Sequence, residues 1–131
     1  MRLYTVAEAA ALLPQVIPML EQLRTAFVAL RALRAAVAAE SRGASGDGNL
    51  LADPWAGAYA KDRAEALNSA LRAAAAQLES WGIELKDPER GLIDFYHDRM
   101  GEVVYLCFLL GEGSLGYWHT LDGGFAGRQS L

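Results

Sequence analysis

Apolar and polar positions divide the chain into two regimes. From Leu20 to Val37, the residues Leu20, Leu23, Phe27, Leu30 and Val37 recur at alternating steps of three and four, with Leu33 or Arg34 at the remaining seam position. That spacing lays one apolar stripe along an amphipathic helix. Ala64, Leu67, Leu71, Ala74, Leu78 and Trp81 repeat it, and Gly82 follows where a left-handed residue closes a helix. Thr5-Val6-Ala7-Glu8 has the form of a capping box: the Thr5 hydroxyl accepts from the N–H of Glu8, and the Glu8 carboxylate accepts from the N–H of Thr5. Pro14 and Pro18 lack an N–H and crowd the turn before them. The pattern therefore predicts helices over about 6–13, 14–40 and 56–81, the second starting at Pro14. Ser41 to Leu50 is rich in glycine, serine and asparagine and reads as a loop; the order of the connection over about 41–57 is left open by its composition.

After Gly82 the period changes. Leu92 to His97, Val103 to Leu110 and Leu115 to Thr120 are short apolar or β-branched runs, separated by turns at Asp98–Gly101 and Gly111–Ser114. They predict a meander of three antiparallel strands over about 92–97, 103–110 and 115–120. The expected fold class is α+β: a long antiparallel helical hairpin packed against a three-stranded antiparallel sheet, in one domain over 1–131. With an even number of residues in both turns, Ile93, Phe95, His97, Glu102, Val104, Leu106, Phe108, Leu110, Tyr117 and His119 share one face. Leu92, Asp94, Tyr96, Val103, Tyr105, Cys107, Leu109, Trp118 and Thr120 share the other. The first set suits packing on the helices. The second is too apolar for open water and too polar for a plain core, as a subunit interface or ligand surface would be.

Composition narrows the function classes. A chain of 131 residues, 53% apolar and 21% charged, can bury a core and is not disordered by composition. A net charge of −4 without a basic run leaves no footprint for phosphates, so no nucleic-acid partner is expected. Arg24, Arg31 and Arg34 read as a solvated helix face. One cysteine, Cys107, allows no internal disulfide. The apolar runs fall short of the roughly 20 residues a bilayer demands, and the first residues lack a signal-peptide order. A soluble cytoplasmic protein with no membrane partner is the expectation.

Candidate chemistry concentrates near the end of the chain. His119 and Asp122 are a potential acid–base pair or two metal ligands. Metal sites show three or more ligands, and only Glu112 is close in sequence, so a strand-end histidine bonded to a turn aspartate is the plainer reading. Gly123 to Arg128 could wrap an anion with backbone N–H groups, Arg128 supplying charge. It opens no evident helix, and a structural tail whose glycines permit tight turns is the plainer reading. Asp87-Pro88-Glu89-Arg90-Gly91 signals a turn whose charges could pair locally or with Asp94. Cys107 lies between apolar neighbours as a buried thiol, with His119 expected on the opposite face and so no base beside it.

The segments Tyr4-Thr5 through Leu12-Leu13-Pro14, Gly82 to Asp87, Arg90 to Phe95, Val104 to Cys107, Gly111-Glu112, Trp118-His119 and Asp122 to Arg128 carry a resemblance over nearly the whole chain. In them the sequence resembles the bacterial family catalogued only as domain of unknown function 2203. The resemblance implies little about activity, because the family has no established function to carry over, and it leaves the cofactor unknown. It does draw attention to Asp87, Arg90, Asp94, His119, Asp122 and Arg128, which fall on the family's polar positions. Phe108 stands where the family pattern has tryptophan, Thr120 where it has an acidic residue, and Tyr96-His97 where it has a proline-containing segment. His97 thereby loses weight as a site residue, and Thr120 removes a carboxylate beside His119.

Two functional readings follow. The first is a non-enzymatic binding or scaffold module acting as a homodimer, suggested by the helical stripes and the tyrosine-rich sheet face. The second is a small metal- or anion-binding enzyme with its site around His119, Asp122 and Arg128.

Overall fold

The computed structural model describes residues 1–47 and 54–131. The part of the expected loop over 48–53 lies outside the described residues. Helix α1 spans Val6–Asp47 and α2 spans Pro54–Ser80. Five strands follow: β1 (Ile83–Asp87), β2 (Leu92–Arg99), β3 (Glu102–Leu109), β4 (Tyr117–His119) and β5 (Gln129–Ser130). They form one antiparallel sheet in the order β1-β2-β3-β4-β5. The fold is thus α+β as the pattern predicted, with five strands instead of three.

The capping box forms as its spacing predicts: Glu8 N–H donates to the Thr5 hydroxyl at 3.1 Å and Thr5 N–H to the Glu8 carboxylate at 2.9 Å. The predicted break at Pro14 does not occur, nor does the helix stop near 40. Both prolines sit on the exposed side of α1, one helical repeat apart. The carbonyls they orphan, of Ala10 and Pro14, therefore lie on the hydrated face. The opposite face stays an unbroken stripe of Ala9, Leu13, Val16, Leu20 and Leu23, all buried. Farther along, Ala26 and Leu30 take the buried positions, Phe27 is half-buried and Val37 is exposed. The small side chain at Ala26 lets the helices approach around Leu67, which closes a second, smaller core with Leu30. The main core joins α1 and α2 to one face of the sheet through Ile83, Ile93, Phe95, Leu106 and Phe108.

Gly82 ends α2 at φ 74°, the left-handed cap its position predicted. Tyr4 locks the chain start to this corner: its hydroxyl donates to the Trp81 carbonyl, and its N–H donates to Tyr96 at 2.7 Å. Nδ1 of His97 donates to the Tyr4 carbonyl at 2.7 Å, so His97 serves to tie the start of the chain to β2. Met100 and Gly101, at φ 53° and 88°, make the two-residue turn between β2 and β3.

That turn is even, and the β2–β3 faces are those expected. The β3–β4 connection is odd: Tyr105 pairs with His119, Leu106 with Trp118 and Cys107 with Tyr117. The expected face of β4 is therefore corrected. Trp118 turns to the helices, packing on the main core, and Tyr117 and His119 turn to the opposite side. One residue of parity moves every side chain of a strand across the sheet. The missed strand β1 follows directly on the α2 cap, and its IELKD sequence carries three charges that hide a strand signal. The missed β5 is only two residues long.

Candidate functional site

Register gathers the polar residues of the sheet on the side away from the helices. Asp94 pairs with Cys107, Tyr96 with Tyr105, Tyr105 with His119 and Glu84 with Asp94, and direct partners share a face. Asp94, Cys107 and His119 meet at its centre, exposed by only 1%, 1% and 2%.

His119 is held from both sides of its ring. Nδ1 lies 2.7 Å from the Thr120 carbonyl oxygen. A carbonyl only accepts, so Nδ1 carries a proton. Nε2 lies 3.0 and 3.1 Å from the two Asp94 oxygens. One proton is shared along that contact, either as imidazolium against carboxylate or as imidazole accepting from the acid. Burial is the largest influence on Asp94 and raises its pKa; the His119 charge, a hydrogen bond from the Cys107 thiol and Lys86 pull it back. Burial, and then the neighbouring Asp94, push the Cys107 thiol up to about 12. At neutral pH it is a protonated thiol and a poor nucleophile. Asp94, Cys107 and His119 each offer one metal-ligand atom, all within 4.8 Å of one another.

A polar network borders this centre. The Tyr105 ring lies 5.4 Å from the His119 ring and 4.9 Å from that of Tyr96. Glu84 accepts from the Tyr96 hydroxyl, from the Tyr105 hydroxyl at 2.9 Å and from Lys86 at 2.5 Å. The Lys86 ammonium lies over the Tyr105 ring. Burial first, then these partners, shape Glu84, whose carboxyl ends below its usual range. On the other flank Arg128 donates to both Glu112 oxygens, at 2.6 and 2.8 Å, and stacks on Tyr117 at 4.0 Å. Its guanidinium reaches the Cys107 carbonyl at 3.5 Å.

The residues singled out in the sequence divide into those the fold brings together and those it does not. Asp94 and His119 meet, and Arg128 borders them. Asp87 instead caps its own turn, accepting from the N–H groups of Glu89 and Arg90. Arg90 is exposed and stacks on Phe125. Asp122 is exposed, and the His119 nitrogens are taken by Thr120 and Asp94, so the expected His119–Asp122 pair is replaced by His119–Asp94. The partner lies across the sheet, 25 positions back in the chain, beyond the reach of spacing rules. In the Gly123–Arg128 segment three N–H groups are bonded locally: Gly123 donates to Thr120, Gly127 to Gly123 and Gly124, and Arg128 to Phe125. Cys107 joins the site against expectation, because the odd β3–β4 connection puts His119 on its face.

Among the described residues no helix is long and apolar enough to cross a membrane. Neither the curated proteins nor the solved structures gave a match to this chain. A family model described as an uncharacterized conserved protein, DUF2203, matches residues 2–131, essentially the whole chain, and the protein belongs to that family.

Proposed function

We propose that this chain is a binding module whose ligand is held at the Asp94–Cys107–His119 cluster, on the sheet face away from the helices. One observation carries the reading: a carboxyl, a thiol and an imidazole lie side by side at 1–2% exposure. The fold does not require them there. Apolar residues replacing a buried ion pair are often neutral or stabilising by about 1–4 kcal/mol, and Leu92 is buried on the same face. Burial this deep favours holding a ligand over turning one over, because a substrate of ordinary size has no approach to the three groups. The test is native mass spectrometry of the protein as isolated beside His119→Gln. An added mass on the wild type that is missing from the variant is expected; bare chains in both would defeat the reading.

Self-association is a second reading. Val28 and Val37 are each 42% exposed on α1, and Tyr59 is 70% exposed on α2, which favours a partner along the helices. A homodimer in sedimentation equilibrium at micromolar concentration is expected, weakened by Tyr59→Ser. A monomer at that concentration refutes it.

A further inference from the structure

We propose that Asp94, Cys107 and His119 coordinate one zinc-class divalent cation, through a single Asp94 oxygen, the Cys107 sulfur and Nε2 of His119. The proposal rests on the binding-module reading and names the ligand of that site.

The donor spacing fits such an ion. Tetrahedral zinc binds sulfur at about 2.3 Å and nitrogen or oxygen at about 2.0–2.2 Å, which separates neighbouring donors by roughly 3.3–3.8 Å. The three donor atoms here all lie within 4.8 Å of one another, and Nε2 is 3.0 Å from its nearer Asp94 oxygen. Seating the ion takes an opening of a few tenths of an ångström between Nε2 and Asp94 and a closing of up to about 1 Å across the widest donor pair. The donors project from three adjacent strands, β2, β3 and β4, and sites on paired strands are held more firmly than sites on loops.

The histidine is also oriented for it. A ligating histidine usually gives its other ring N–H to a carbonyl or carboxylate, which fixes the tautomer and aims the free nitrogen. The Nδ1–H of His119 does this to Thr120 at 2.7 Å, and the ring packs beside Tyr105. Nε2 is the nitrogen left to bind.

Charge balances as well. A divalent cation with one carboxylate, one thiolate and a neutral imidazole sums to zero, so the loaded site buries no net charge. The metal-free site is neutral too, holding one proton on the Asp94–His119 contact and one on the thiol. Loading exchanges those two protons for the ion, and Nδ1–H stays on Thr120. Magnesium and calcium want six or more oxygen donors, which a set of sulfur, nitrogen and one oxygen does not supply. Thiolate with imidazole suits zinc, for which cobalt(II) is a tetrahedral spectroscopic stand-in. Three protein donors leave the fourth position to a water molecule.

The experiment is anaerobic titration of the full chain, stripped with chelator, first with cobalt(II) and then with zinc. One equivalent of cobalt is expected to produce intense tetrahedral d–d bands and a thiolate-to-cobalt charge-transfer band, both erased by zinc. In Cys107→Ser the charge-transfer band vanishes, and zinc affinity falls by more than the ~10–100-fold typical of losing an outer-shell partner. Should that variant fail to fold, thermal denaturation of the wild type decides: zinc raises the melting temperature and magnesium does not, and equal shifts with both ions, or none with zinc, overturn the proposal. Bands that persist in a folded Cys107→Ser place the ion elsewhere and overturn it. Absence of any cobalt or zinc binding overturns it too. If an organic mass is then lost on His119→Gln, the binding module survives without its metal; if none is, both fall.

Discussion

Replacing His119 by leucine in metal-free protein probes the energetics of the buried centre. The substitution removes the 2.7 Å bond to Thr120 and leaves Asp94, 1% exposed, without its partner. Stranding one member of a buried pair costs about 3–5 kcal/mol, and the lost neutral hydrogen bond about 1 kcal/mol more. The new apolar side chain returns roughly 1.5–3 kcal/mol by burial. A net loss of about 2–4 kcal/mol follows. The double variant Asp94→Leu/His119→Leu strands nothing and should lie within about 1 kcal/mol of wild type, since well-packed apolar replacements of buried pairs are close to neutral or better. With Asp94→Leu costing no less than the double variant, the coupling is at least the His119→Leu loss, about 2–4 kcal/mol, and is read from urea denaturation of the four proteins in chelator at pH 7. The sign with pH is also fixed. Burial raises Asp94 above its ordinary 3.8, and His119 is among the groups that pull it back. In His119→Leu the folded state holds the Asp94 proton still more tightly than the unfolded chain. The penalty is therefore small below the unfolded pKa and grows as pH rises from there through the folded value. A single variant as stable as the double one, or a penalty flat from pH 4 to 7, would show that Asp94 and His119 are not energetically coupled.

Other outcomes are as definite. The Cys107 thiol, pushed up to about 12 from 9.0, keeps its proton in the folded state after the unfolded chain has lost it. Stability should therefore fall as pH rises from about 9 toward 12, less steeply in Cys107→Ala, as denaturation curves at stepped pH will record. The hydrogen bond to Glu84 is the first cause that raises the Tyr96 hydroxyl, so Glu84→Gln should bring its ionisation down toward 10 in an ultraviolet tyrosinate titration. Gly91 has φ 69°, and a Cβ there would lie 2.7 Å from the Leu110 Cβ. Gly91→Ala should cost about 1–3 kcal/mol, whereas Gly113→Ala, with open space around it, should leave the melting temperature close to wild type.

The helices were legible because their signals are local: the Thr5–Glu8 box, the three-and-four spacing and Gly82 all lie within a few residues of what they specify. Pro14 and Pro18 misled because the penalty of a proline depends on where its orphaned carbonyl points, and that is set by which face of α1 meets the core. Strand β1 was hidden by Glu84, Lys86 and Asp87, whose charges look like loop. On the sheet, two of them serve the face away from the helices, where Glu84 gathers Tyr96, Tyr105 and Lys86. The site turned on parity. Asp94 and His119 could each be picked out as polar residues in apolar runs, yet their meeting depends on the odd count between β3 and β4. Assuming an even count separated His119 from Cys107 and Asp94 and left Asp122 as its nearest partner.

Zinc K-edge X-ray absorption on the zinc-loaded protein would look at the three-residue centre itself. The expected spectrum has a first shell with one sulfur at about 2.3 Å and nitrogen or oxygen donors at about 2.0–2.2 Å, the sulfur disappearing in Cys107→Ser. A shell of nitrogen and oxygen alone, or a sulfur that survives the substitution, would contradict coordination by Asp94, Cys107 and His119.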